Sequence, residues 1–292
     1  MKEIPMKKKK RFDYIDVIAH TFLVLFSACI LYPMLHVVAV SFSGNDAILR
    51  NDVSIFPIDF TLQSYEYFMD HSEFLSSFVY AIKYTVEGVG VQLLATALFA
   101  YPLSKMKLIG RSVIMKLLVF TMYFSGGLIP LYMQISAVGL YGSEWAWIIG
   151  RLIATYYLII MINGYQAIPE SLYEAAYLDG ASDFQVFLKI ALPLSKATLA
   201  SLGLFLFIDH WNSWYNAMLY LDDPAEFPLQ LFMRSVMIED KMMEQDPTFN
   251  GRLTPTGVKN ALVVISMIPV MIVYPVVQKY FVTGVMMGSV KG

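Results

Sequence analysis

Apolar residues fall along this chain in long blocks separated by shorter polar stretches. Residues 17–40 contain no Asp, Glu, Lys or Arg for 24 positions, more than the roughly 20 residues needed to cross a bilayer. A cleavable signal peptide has an apolar region of only about 7–15 residues, and no small-residue cleavage site follows Pro33, so this block reads as a retained first helix. Five further blocks follow at about 79–103, 117–137, 145–168, 197–221 and 260–280. The third contains Ser125, Gly126, Gly127 and Pro130, a composition that predicts a bend. Two long polar loops, 43–78 and 222–259, interrupt the series. In the second, Leu229, Phe232, Met233, Val236 and Met237 recur at helical spacing and predict an amphipathic helix. Its apolar face is open to two readings, packing against the spans or membrane and docking of a partner. The pattern predicts an all-α polytopic membrane protein: a polar N-terminus, 1–16, and one transmembrane domain of six helices, 17–292.

The longest polar interruption on the other side is 170–194, ESLYEAAYLDGASDFQVFLKIALPL. Pro169 disfavours helical geometry in the residue before it and so ends the preceding span. Ser171 and Glu174 have capping-box spacing, as do Ser182 and Gln185. Leu172, Ala175 and Ala176 share one helical face; Phe184, Phe187 and Leu188 share another. Gly180 stands where a helix takes a left-handed stop, and Pro193 closes the segment. The expectation is two short helices joined by a glycine elbow.

Composition supports the membrane reading, because 57% of residues are hydrophobic and 15% charged, against about 25% charged in a soluble domain. The single cysteine, Cys29, excludes an internal disulfide, and the four histidines are scattered without metal-ligand spacing. With six spans, both termini and the even-numbered loops share one side. That side holds 14 Lys and Arg residues, the other loops five, and Lys83 and Arg151 lie within spans. Such an excess marks the cytoplasmic side. It predicts cytoplasmic termini, a cytoplasmic elbow and external 43–78 and 222–259 loops.

Charges within spans are costly and usually face a bundle interior or a cavity. Asp209 is thirteen residues from both Lys196 and Asp222. On a continuous helix it would sit about 20 Å from either end, at about 1.5 Å per residue. It opens the stretch Asp209-His210-Trp211-Asn212-Ser213-Trp214-Tyr215-Asn216, whose rings and polar groups suit a sugar: rings stack on C–H faces while amides and carboxylates take hydroxyls. The competing reading has Asp209 and Asn212 bonded to neighbouring helices, with the tryptophans in the interfacial belt. Lys83 and Glu87, one turn apart, are expected to pair, and an Arg151–Asp209 pair is conceivable.

Glu174-Ala175-Ala176, Asp179-Gly180-Ala181, Phe187, Ile190 and Leu192-Pro193 resemble the EAA signature of binding-protein-dependent ABC importer permeases. Ile268-Pro269, Tyr274, 278–281, Gly284, Gly288 and 290–292 are similar to the end of the smaller subunit of maltose-type permeases. Phe205 through Asn212, with Pro228-Leu229-Gln230, resembles a subgroup associated with larger oligosaccharides. The resemblance implies a type I ABC importer permease fold in a bacterial cell membrane. Glu174, Ala175, Ala176, Asp179, Gly180, Ala181, Phe187 and Pro193 would then form a coupling helix docked in an ATPase, the C-terminal tail would approach the ATPase dimer, and Asp209, Trp211 and Asn212 would lie on the substrate path. Implied partners are a second homologous permease, two cytoplasmic ATPase subunits, an extracytoplasmic solute-binding protein and the lipid bilayer, without nucleic acid. No G-x-x-x-x-G-K-[ST] loop occurs in the chain, so this chain is expected to bind no cofactor and ATP and Mg²⁺ to sit on the partner subunits. The alternative is a proton-coupled secondary transporter using Asp209, although no internal repeat supports it. An intramembrane enzyme would need paired aspartates, H-E-x-x-H or an activated serine.

Overall fold

The computed structural model describes residues 14–238 and 253–288, with side chains of the last helix placed as far as Lys279. Among these residues all regular structure is helical. In chain order the helices are α1 Tyr14–Ser41, α2 Asn45–Leu49, α3 Gln63–Asp70, α4 Ser72–Ser104, α5 Arg111–Tyr123, α6 Leu128–Ala137, α7 Trp145–Gly150, α8 Thr155–Gln166, α9 Glu170–Leu178, α10 Asp183–Val186, α11 Lys196–Trp211, α12 Trp214–Tyr220, α13 Leu229–Ile238 and α14 Pro255–Gly288. A π-helical turn, Phe187–Ala191, and one α turn, Leu192–Leu194, prolong α10.

Helices α1, α4 and α14 are long and apolar enough to cross a membrane. Two further apolar runs are broken: α5 and α6 meet at 116°, and the segment from α10 to Leu194 meets α11 at 77°. The first break lies at the predicted bend, where Gly127 takes φ +89°. The other breaks depart from the sequence expectation of continuous fourth and fifth spans. The fourth stops after Gly150 and resumes at Thr155. The fifth stops at Trp211 and resumes at Trp214, where Asn212 donates its side-chain amide to the Ile208 carbonyl at 2.9 Å. Asp209 therefore sits in the last turn of a helix and not in mid-helix.

The chain divides into two compact units, Met1–Tyr67 with Asp240–Val264, and Phe68–Glu239 with Ile265–Gly292. In the first, Ala39 and Val40 at the end of α1 are buried with Ala47, Ile48 and Val53. Phe42 stacks on Phe60 and Tyr65 at 5.5 and 4.8 Å, and Ser41 Oγ meets Tyr65 Oη at 2.7 Å. Most of α1 leaves its apolar side chains exposed, as a lipid-facing or subunit-facing helix does.

The second unit is built on α4, which packs against both α8 and α11. Small residues let these helices approach: a Cβ on Gly164 of α8 would lie 2.8 Å from Thr198 Oγ1 of α11, the close contact that drives association in lipid. At the elbow end of α4, a core joins Ala97, Ala100 and Tyr101 to Met161, Tyr165, Tyr173, Val186, Phe187 and Leu202. At its other end Tyr84, Trp147, Ala217, Tyr220 and Leu231 form a second core. The predicted amphipathic helix is α13; Leu229 and Leu231 are buried, and Phe232 approaches Phe74 at 6.2 Å, so part of its apolar face packs inward.

The Lys83–Glu87 pair is not the one formed. Lys83 Nζ lies 2.7 Å from Glu144 Oε1, because the turn before α7 brings a second carboxylate to the same place. Glu87 keeps one carboxylate oxygen buried without a hydrogen-bond partner.

Candidate functional site

The elbow between α8 and α11 has the expected two-helix form with one altered cap. Helix α9 begins at Glu170 with Pro169 at its N-cap and no side-chain cap, so Ser171 and Glu174 lie inside the first turns and their capping box does not form. The second box does: Gln185 N donates to Ser182 Oγ at 3.4 Å and Ser182 N to Gln185 Oε1 at 2.9 Å. Gly180 takes φ +81°, a left-handed conformation costly for residues with a Cβ. The turn is closed by Ala181 N donating to Ala176 O at 3.0 Å.

Burial divides the elbow into an anchor and a free surface. Tyr173, Val186, Phe187 and Ala191 enter the core, with Ala176 and Ala181 packed against it. Glu174, Ala175, Asp179 and Pro193 are exposed, as are Leu172, Leu178 at 89%, Phe184 and Leu188. A groove of about 360 Å³ lies beside Asp179, Gly180, Ala181 and Lys189. Exposed apolar side chains mixed with carboxylates on a rigidly held turn make a surface suited to a partner.

Sequence reasoning missed the clamp that ties this turn to α4. Lys105, just beyond α4, places its ammonium 3.3 Å from the ring centroid of Tyr173 and 4.9 and 5.9 Å from those of Tyr101 and Tyr177. These are cation–π distances. Burial holds the Lys105 pKa below the ordinary lysine value, partly offset by Glu170 and Asp183. Burial pushes the Tyr173 phenol up to about 12. Tyr177 donates to Asp183 at 2.6 Å, joining α9 to α10. Of the three tyrosines only Tyr101 is close to Lys105 in the sequence; Tyr173 and Tyr177 lie 68 and 72 positions further on, so the spacing gave no reason to bring them together.

The breaks in the fourth and fifth apolar runs meet around a cavity of about 40 Å³, lined by Gln92, Trp147, Arg151, Ala154, Tyr157, Asp209, His210, Ser213 and Asn216. Tyr157 donates to Asp209 Oδ2 at 2.5 Å. Gln92 donates its amide to the Arg151 carbonyl at 2.6 Å, and its own carbonyl oxygen lies 3.0 Å from His210 Nε2. With that orientation of Gln92, His210 must carry its proton on Nε2. Gly88 makes room for the ring: a Cβ there would stand 2.4 Å from His210 Cε1. The conceivable Arg151–Asp209 pair does not form within 4 Å among the described residues; the tyrosine holds the carboxylate instead. Of the three path candidates only Asp209 lines this cavity. Trp211 is 2% exposed, stacked on Phe207 and edge-on to Phe78, with its indole N–H on the Ser266 carbonyl at 3.1 Å. Asn212 is exposed and caps its own helix. Gln92, Trp147 and Tyr157 were not singled out from sequence, where they read as single polar or aromatic positions in apolar runs.

The expected approach of the C-terminal tail, 289–292, to an ATPase and the basic residues 7–11 lie outside the described residues.

A family model described as "Binding-protein-dependent transport system inner membrane component" matches residues 69–287. The chain is 38% identical over 280 residues to the polygalacturonan/rhamnogalacturonan transport system permease protein YtcP of Bacillus subtilis (strain 168), covering 95% of this chain and 98% of that one. It is 39% identical over 279 residues to the protein LplC of the same organism, covering 95% of each. Among solved structures, a chain of a bacterial ABC transporter involved in the import of the acidic polysaccharide alginate superposes with a TM-score of 0.87 at 33% identity, over 94% of this chain and 100% of that one. With the elbow, the broken helices and these matches in hand, the chain belongs to the inner membrane components of binding-protein-dependent transport systems, the permease subunits of ABC importers.

Proposed function

We propose that this chain forms half of the transmembrane pathway of an ATP-driven importer that takes up an oligosaccharide delivered by an extracytoplasmic binding protein. The observation that carries the reading is the elbow: a turn locked into the core by Tyr173, Val186 and Phe187 while Leu172, Leu178, Phe184 and Leu188 stay exposed beside Glu174 and Asp179. Two cytoplasmic ATPase subunits carrying ATP and Mg²⁺ would grip Glu174 to Ala181. Because Tyr173 and Phe187 share the core of α4 and α8, a pull on the elbow would move those helices as packed bodies.

A second, homologous permease completes the pathway, opposite the cavity at Asp209. Trp211 and Asn212 hold that wall in shape. Six spans follow if the pair α7 and α8 counts as one broken helix beside the three long helices and two bent pairs. Both termini are then cytoplasmic in a bacterial inner membrane. The binding protein would dock on the opposite face, where Ser72, Glu73, Ser76, Phe227 and Phe232 border a groove of about 540 Å³. The named substrates of the relatives support a sugar. Galacturonan and alginate are polyanions, and a chain that passes such a solute needs a cation on its path.

Transport by the reconstituted assembly tests this directly. Uptake should require ATP inside the vesicle-accessible compartment and the binding protein, and should ignore an imposed proton gradient. Uptake that follows the proton gradient without ATP would instead make Asp209 the proton carrier of a secondary transporter.

A further inference from the structure

We infer that Arg151 is a specificity-determining residue that receives a carboxylate of the solute, so that the importer passes acidic oligosaccharides in preference to neutral ones. This rests on the oligosaccharide-import reading above and deepens it.

The geometry separates the backbone of Arg151 from its side chain. Its carbonyl is fixed by the Gln92 amide at 2.6 Å, and Gln92 is fixed in turn by His210. That pins the break between α7 and α8 and leaves the side chain to project from it. The residue is exposed. Its guanidinium makes no hydrogen bond and no ion pair within 4 Å among the described residues, whereas the nearest acidic residue of the cavity, Asp209, is engaged by Tyr157. An unneutralised guanidinium between apolar helices is expensive unless it faces water or an anion. Arginine is also the side chain whose planar fork matches a carboxylate with two parallel hydrogen bonds.

Size narrows the ligand. The cavity leaves about 40 Å³ open to the centre of a water molecule, where roughly 10–15 Å³ is enough to hold one water, so a substituent of a sugar ring fits it. Arg151 and Asp209 make complementary demands: the guanidinium takes an acceptor, and the Asp209 oxygen that Tyr157 leaves free, Oδ1, takes a donor. A uronic acid residue presents both, a carboxylate and neighbouring hydroxyls. Ser213 and Asn216 complete the lining with neutral hydrogen-bonding groups. A neutral sugar would satisfy Asp209 and leave Arg151 unmatched.

The test uses the whole importer, with its second permease, ATPases and binding protein, in proteoliposomes. The external solution holds a mixture of neutral oligosaccharides from dextrin and galactan and acidic ones from pectate and alginate, and the lumen is read by mass spectrometry after ATP-driven uptake. All variants share one binding protein, so differences between them report on the membrane path. Wild type should admit acidic oligosaccharides, Arg151→Gln should slow their entry at least tenfold, and Arg151→Lys should retain an intermediate rate. Wild-type entry of neutral sugars alone would overturn the proposal and leave sugar import standing. Undiminished acidic uptake by Arg151→Gln would overturn it as well. Failure of Arg151→Gln to assemble with the second permease would show that Arg151 answers a subunit carboxylate, which also overturns it. Entry of no oligosaccharide in wild type would remove the sugar reading itself, and the proposal with it.

Discussion

Replacing Gly88 by alanine probes the contact on which the cavity wall depends. The added methyl would lie 2.4, 2.5 and 2.7 Å from three atoms of the His210 ring, well inside van der Waals contact, and α4 and α11 are packed too closely for the methyl to be absorbed. The imidazole must move. Overpacking of this kind costs about 1–3 kcal/mol, and losing the 3.0 Å contact between His210 and Gln92 adds about 0.5–1.5 kcal/mol. We expect Gly88→Ala to destabilise the protein by about 1.5–4.5 kcal/mol in all, the sum of those two effects. Reversible unfolding in mixed micelles, followed by tryptophan fluorescence, measures it. The diagnostic comparison is the double variant: once His210→Ala has removed the ring, Gly88→Ala should cost under about 1 kcal/mol, a non-additivity characteristic of residues in contact. An equal cost in both backgrounds would refute the reasoning, as would a single variant as stable as wild type.

Three other outcomes follow from the same geometry. Gly180→Val forces a β-branched residue into φ +81° at a cost of about 1–3 kcal/mol; transport should be lost while membrane insertion, read by protease protection, is retained. Lys105→Gln removes the cation from the tyrosine cage, worth about 0.5–2 kcal/mol, and should lower substrate-stimulated ATPase activity, with Lys105→Arg restoring part of it. Lys83→Met leaves Glu144 without its 2.7 Å partner; because the Lys83 side chain is 43% exposed, the loss should be about 1 kcal/mol or less, and Lys83→Met with Glu144→Gln should recover some of it in the same unfolding assay.

Much of this arrangement was legible in the residues. The long apolar runs gave α1, α4 and α14, and Ser182, Gln185 and Gly180 gave the second cap and the turn, because those signals are local. The bend at Gly127 was also local. What the sequence hid is set between helices. Nothing near Gly150 announces that α7 ends there, since the break is held by Gln92, 59 positions earlier. Lys83 has Glu87 one turn away, yet it reaches Glu144 because the tertiary fold delivers that carboxylate. Trp211 looked like a ring for a sugar and is a packing residue, its indole satisfied by Ser266. Ser171 and Glu174 had capping-box spacing, but the helix starts at Glu170, two residues too early for them to cap it.

The most direct measurement is a cross-link from the elbow. In a Cys29→Ala background, Leu178→Cys, whose position is 89% exposed, should form a disulfide or bifunctional-reagent link to a cysteine in the ATPase subunit. Its yield should change with nucleotide, and the link should block ATP-driven uptake reversibly. Reaction of that cysteine only with membrane-impermeant reagents from the outer compartment, or a persistent failure to link in an importer that transports normally, would contradict the account.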